Sequence, residues 1–137
     1  MADTNVSQVI QDGGRTAIIK VTTVIGAGTP PPGATITAVD VSALAVDPIS
    51  KRACTGVTLE KLTIASVGVA VKLEWKATSN VLLFDFPANW TDQFDFTGYG
   101  IPNNAGSGKN GDIVATSLPA AAGNTYTIIL TVQKLYG

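Results

Sequence analysis

Val69-Ala70-Val71-Lys72-Leu73-Glu74-Trp75-Lys76 is the stretch that decides the fold. Its apolar residues, Val69, Val71, Leu73 and Trp75, alternate with Ala70, Lys72, Glu74 and Lys76. Successive side chains of a strand point to opposite faces, so a period of two predicts a half-buried antiparallel strand. Val71, Leu73 and Trp75 then face inward, and Lys72 and Glu74 outward. A slip of one residue would bury both charges, which pins the register.

The same period governs the C-terminal run Thr125-Tyr-Thr-Ile-Ile-Leu-Thr-Val-Gln-Lys134. Tyr126, Ile128, Leu130 and Val132 share one face; Thr125, Thr127, Thr131 and Gln133 share the other, with Ile129 the exception. A run this rich in Thr and Ile suits a pleated surface better than a helix. Seven further segments read as strands: Val6–Gln11, Arg15–Val24, Ala34–Val41, Val57–Ser66, Val81–Phe86, Gln93–Thr97 and Asp112–Ser117. Turn chemistry separates them. Asp12-Gly-Gly14 is expected to turn the first strand into the second. Ser66-Val-Gly68 and Thr78-Ser-Asn80 are expected to close tight hairpins, and Gly123-Asn124 to launch the last strand. Val41–Val46 has room for one helical turn and no more.

Three connections are long: Gly26–Gly33 with three consecutive prolines, Asp47–Gly56, and Gly98–Gly111. Prolines cannot donate to a sheet ladder, and loops on a rigid β scaffold commonly carry its contacts. About nine strands in 137 residues predict a single all-β domain over residues 1–137. The expected architecture is an antiparallel two-sheet sandwich of jelly-roll type, with a partly closed barrel as the alternative. Residues 1–12 form a candidate N-terminal arm.

Composition narrows the chemistry. The chain has no His, one Cys, 45% hydrophobic and 14% charged residues, and a formal net charge of −1. Its nine cations are scattered, so no basic patch for nucleic acid is expected. Cys54 has no partner for an intramolecular disulfide and no His to activate it as a nucleophile. No secretory signal or membrane-spanning segment is evident. The sequons Asn5-Val-Ser7 and Asn89-Trp-Thr91 read as chance matches.

Gly106-Ser-Gly-Lys-Asn-Gly111 matches the glycine pattern of dinucleotide-binding loops. That motif works only between a strand and a helix N-terminus, whereas here a strand candidate follows it. A flexible loop is the expectation. Asp85, Asp92 and Asp95 lie among Phe84, Phe86, Trp90, Phe94 and Phe96, a weak analogy to a glycosidase's paired carboxylates. Core packing is the simpler reading of these aromatics, with Trp90 and Tyr99, at turns, the exceptions most suited to a partner surface. The reading is therefore of a chain with no catalytic residues, no metal and no cofactor.

Read in order, Arg15-Thr-Ala-Ile-Ile-Lys-Val-Thr22, Val39-Asp-Val-Ser-Ala-Leu44, Val71-Lys-Leu-Glu-Trp75, Phe96-Thr-Gly-Tyr-Gly100, Gly111-Asp-Ile113 and Gly123-Asn-Thr-Tyr-Thr-Ile-Ile-Leu130 resemble a family of small virion structural proteins of tailed bacteriophages. The resemblance implies a particle component, in its preferred form a capsid decoration or cement protein. Such a protein would be made in the host cytoplasm and sit on the outer surface of the capsid. Its partners would be the major capsid protein and copies of itself, as a homotrimer by analogy with decoration proteins in general. No nucleic acid, membrane or small-molecule substrate is expected. A head-neck or tail-associated protein and a carbohydrate-binding β-sandwich are the alternatives. The candidate contact residues are Val6 and Val9 on the arm, Pro31 in the proline loop, Trp90, and Tyr99 and Ile101.

Overall fold

A computed structural model of the chain describes residues 4–24, 35–96, 100–117 and 124–136. Among the described residues nine strands form close to where the alternation places them, with β7 starting two residues before the expected Gln93–Thr97 and β4 three before the expected Val57–Ser66: β1 Thr4–Asp12, β2 Thr16–Val24, β3 Thr35–Val39, β4 Cys54–Val67, β5 Val71–Trp75, β6 Val81–Phe86, β7 Thr91–Asp95, β8 Ile113–Ser117 and β9 Thr125–Tyr136. A single 3₁₀ turn, Val41–Ala43, is the one helical element among the described residues. Asp40 caps it, its carboxylate accepting from the Ser42 N–H at 3.0 Å.

The strands make two antiparallel sheets, ordered β1-β2-β9-β4-β7 and β3-β8-β5-β6. The pairing is nested. β5 pairs with β6, β4 with β7, β3 with β8 and β2 with β9. The chain from β2 to β9 is thus one long double ribbon, with its tip at the β5–β6 turn. Rolling that ribbon adds the β4–β9 and β5–β8 ladders and puts the two sheets face to face. This is the jelly-roll strand order. The sheets keep free edges and do not close into a barrel. β1 lies outside the nest as an extra strand on β2.

The core lies between the sheets. β5 contributes Val71, Leu73 and Trp75, each fully buried, while Lys72 and Glu74 point outward. Facing them are Ala17, Ile19 and Val21 of β2 and Tyr126, Ile128, Leu130 and Val132 of β9. Burying each Leu or Ile contributes roughly 1.5–3 kcal/mol. In β4 the alternation slips: Val57 and Leu59 point inward, and so do Leu62 and Ile64. A bulge between Leu59 and Lys61 takes up the extra residue, so one long strand serves two stretches of core.

One turn expectation is corrected. Ser66-Val-Gly68 does not close a hairpin, because β4 and β5 belong to different sheets. The link instead carries the chain across the sandwich. Its backbone is met by side chains from elsewhere: Gly68 N–H donates to Asn89 Oδ1 at 2.8 Å, and Gly68 O accepts from Asn124 Nδ2 at 3.2 Å. Turn chemistry sets where a chain reverses; the strand on the far side pairs with whichever neighbours complete its ladder. Thr78-Ser-Asn80 and Asp12-Gly-Gly14 do join paired strands. The Asp47–Gly56 stretch is shorter than expected, since β4 begins at Cys54. Of Gly123-Asn124, Asn124 immediately precedes β9, and Gly123 lies outside the described residues.

Candidate functional site

The N-terminal strand is an open edge of the fold. β1 pairs with β2 along one edge, and its other edge has no strand partner among the described residues. Val6 is opposite Thr22 on the outer face. Val9 is opposite the buried Ile19, on the core-facing side, yet remains 45% exposed. β1 therefore covers the opposing sheet only in part, touching β3 where Ser7 Oγ donates to Ala38 O at 3.4 Å. Ile10 is the extra residue of a bulge between Val9 and Gln11, and it too is exposed. The strand contains no Lys, Arg or Pro, the residues that usually guard a free edge.

Its root is latched. Lys134 continues the inward parity of β9, and its side chain is fully buried. Lys134 Nζ lies 2.6 Å from Asp12 Oδ1 and 3.0 Å from Gly13 O, with the Tyr136 ring centroid at 5.6 Å. Tyr136 OH donates to Gly14 O. The other Asp12 oxygen accepts from the Ala45 N–H at 2.7 Å. Burial opposes the Lys134 charge, but hydrogen bonds to Asp12 and Tyr136 and the attraction of Asp12 outweigh it, holding this pKa above the ordinary lysine value.

A cavity of about 730 Å³ opens at one end of the sandwich, between the 3₁₀ turn, the start of β4 and residues 102–111. Cys54 lines it as a buried apolar residue, with Sγ 3.3 Å from Gly56 O. The glycines of the dinucleotide-like pattern have a packing role here. Gly108 and Gly111 hold φ values of +80° and +89°, and a Cβ would strike Thr78 Oγ1 at the first and the Thr55 carbonyl at the second. The loop is seated on the β5–β6 turn and on β4, and β8, not a helix, follows it. Asp112 fastens it to the 3₁₀ turn, accepting from the Val41 N–H at 3.0 Å. Desolvation, helped by nearby Asp40, raises the Asp112 pKa against its hydrogen bonds. A carboxyl held above its unfolded pKa favours folding only when protonated. Asp112→Asn keeps the acceptor and removes the charge, so it is expected to match or exceed the wild-type melting temperature at pH 7. Titrating to a pH below the ordinary carboxylate range should erase any difference.

The aromatic segment closes the β6/β7 side of the sandwich. The Phe84 and Phe94 rings lie 4.9 Å apart, Trp90 meets Phe94 edge-on at 6.3 Å, and Phe96 stacks on Phe94 at 6.3 Å. All four are partly buried against the core, and Phe86 is fully buried. The three carboxylates are not brought together. Asp85 lies opposite Lys72 on the outer face of the four-stranded sheet, and Asp95 opposite Lys61 on the outer face of the other sheet. Asp92 lies opposite Ile64, on the core-facing side of β7.

The candidate contact residues do not converge. Val6 and Val9 lie on β1, whereas Trp90 precedes β7, the opposite edge of the same sheet. Ile101 is half-buried and forms a backbone bridge to Leu59. Pro31 and Tyr99, with the proline loop Gly26–Gly33, lie outside the described residues.

The two outer faces differ. The four-stranded sheet shows Lys72, Glu74 and Asp85. On the five-stranded sheet, cross-strand rows read Val24-Thr125-Val67, then Val6-Thr22-Thr127-Ala65-Thr91, then Gln8-Lys20-Ile129-Thr63-Gln93, then Gln11-Ile18-Thr131-Lys61-Asp95. Sequence reading isolated Ile129 as an exception to its strand's pattern; the register adds Ile18, Val24 and Val67 to the same face. No family model matches the chain, and no curated protein matches it.

Proposed function

We propose that this chain is a non-enzymatic structural protein of a bacteriophage virion, a capsid decoration protein that reinforces the head shell from outside. The observation that carries this reading is the free edge of β1, with Val6, Val9 and Ile10 exposed on a strand that has no Lys, Arg or Pro. An unpaired edge offers a row of N–H and C=O groups, and it gains affinity by adding a partner's strand to the sheet. The partner proposed is the major capsid protein, whose subunits the arm would staple through many modest contacts and no reaction. The jelly-roll strand order fits a particle component, since viral capsid domains share it, although lectins and cupins do as well. The segments that resemble small phage virion proteins point the same way.

The latch at Asp12 makes the test clean. Deleting residues 2–11 removes β1 with its exposed Val6, Val9 and Ile10, leaves β2, which carries Lys20, as the edge strand, and keeps the Asp12–Lys134 pair. The truncated protein is expected to retain its β-rich circular dichroism while losing at least tenfold in affinity for assembled shells, read by co-sedimentation. Shells carrying the intact protein should resist heat longer than bare shells. Unchanged binding by the truncated protein refutes the arm, and an intact protein found only on the tail refutes the decoration role.

A further inference from the structure

We infer that the outer face of the five-stranded sheet is a self-association surface, on which a second copy of this chain packs face to face. The face carries few charges for its size. Across its paired rows only Lys20, Lys61 and Asp95 carry charge, with Glu60 at the bulge beside them, and Lys61 is paired in register with Asp95. What remains is six threonines, three glutamines and Ala65, with Val6, Ile18, Val24, Val67 and Ile129.

Charge and area select a second copy as the occupant. A strongly charged partner surface would bury its charges here against few counter-charges, whereas two copies of this face meet with little Coulomb penalty. Charge depletion at the centre is also the compositional mark of a protein interface. Five strands about 4.8 Å apart, with rows about 7 Å apart, give a face of roughly 600–700 Å². A standard interface buries about 800 Å² on each partner, so this one face nearly suffices. β-Branched side chains on two facing sheets interdigitate in the aligned packing that builds sandwich cores. A face packed on itself is isologous and closes at two subunits, so the association is a dimer rather than the trimer expected by analogy. The hydrogen-bonding edge of β1, with Val9 and Ile10, stays free for the shell, whereas Val6 and Gln8 belong to the shared face, so the variant lacking residues 2–11 is read for dimer mass as well as for shell binding.

The test is the mass of the full-length protein by sedimentation equilibrium. The wild type is expected at twice the monomer mass. Ile129→Glu, at the centre of the face, should raise the dissociation constant at least tenfold. Thr127→Lys, at a half-exposed position, should act in the same direction and covers the case in which Ile129→Glu does not fold. Thr37→Glu, exposed on β3 in the other sheet, should leave the dimer intact. A monomeric or trimeric wild type overturns the inference, as does a dimer that Thr127→Lys leaves unchanged.

Discussion

Trp75→Ala is expected to cost about 3–5 kcal/mol, the range for removing a buried tryptophan from a close-packed core. Trp75 is fully buried at the end of β5, paired in register with Ile113 of β8 on one side and Val81 of β6 on the other. Three strands of the smaller sheet therefore converge on one indole. The cavity left by truncation cannot collapse easily, because backbone ladders hold its walls on both sides. Domains of this kind are held by roughly 5–15 kcal/mol in all, so much of the margin would go. Trp75→Phe retains most of the volume and should cost markedly less. Urea unfolding followed by circular dichroism gives both values. A loss below about 1 kcal/mol for Trp75→Ala would mean that the indole does not anchor the core.

Where alternation is clean, the sequence was enough. The face of β5 and the inward set of β9 follow from a period of two, because burying Lys72 or Gln133 would cost far more than any local preference returns. The bulge in β4 was not legible: Val57, Leu59, Leu62 and Ile64 share the inner face only because an extra residue at Glu60 is absorbed by the ladder. Nor was the crossing at Gly68, since Ser66-Val-Gly68 has hairpin chemistry but its fate depends on β8 and β9, far along the chain. The neutral outer face was hidden for the same reason. Ile18, Ile129, Val24 and Val67 stand far apart in sequence, and only cross-strand register makes them neighbours. Lys134 was legible in principle. It continues the inward parity of Val132, and a lysine at a core position signals that an acidic partner must arrive from elsewhere.

That partner sets the last expected result. Asp12→Ala should destabilise the fold by about 3 kcal/mol, while Lys134→Met should be neutral or stabilising. The asymmetry arises from burial. The Lys134 side chain is fully enclosed, whereas that of Asp12 is 20% exposed. Removing the carboxylate strands a buried ammonium with Gly13 O and the Tyr136 ring as its remaining company. Removing the ammonium leaves an acid that still accepts from Ala45 and reaches solvent. Breaking a buried pair from one side commonly costs about 3–5 kcal/mol, and replacing its buried member by an apolar residue often costs nothing. The partial exposure of Asp12 puts the expected loss at the low end. The pH dependence follows from the raised lysine pKa. The folded chain holds this proton more tightly than the unfolded chain, so the stabilisation is fully present below the ordinary value of 10.5 and is lost as pH climbs through the folded value. Urea midpoints measured from pH 7 into that alkaline range should fall more steeply for the wild type than for Lys134→Met. Parallel curves for the two proteins, or an Asp12→Ala variant as stable as the wild type, would show that the latch does not hold the root of β1.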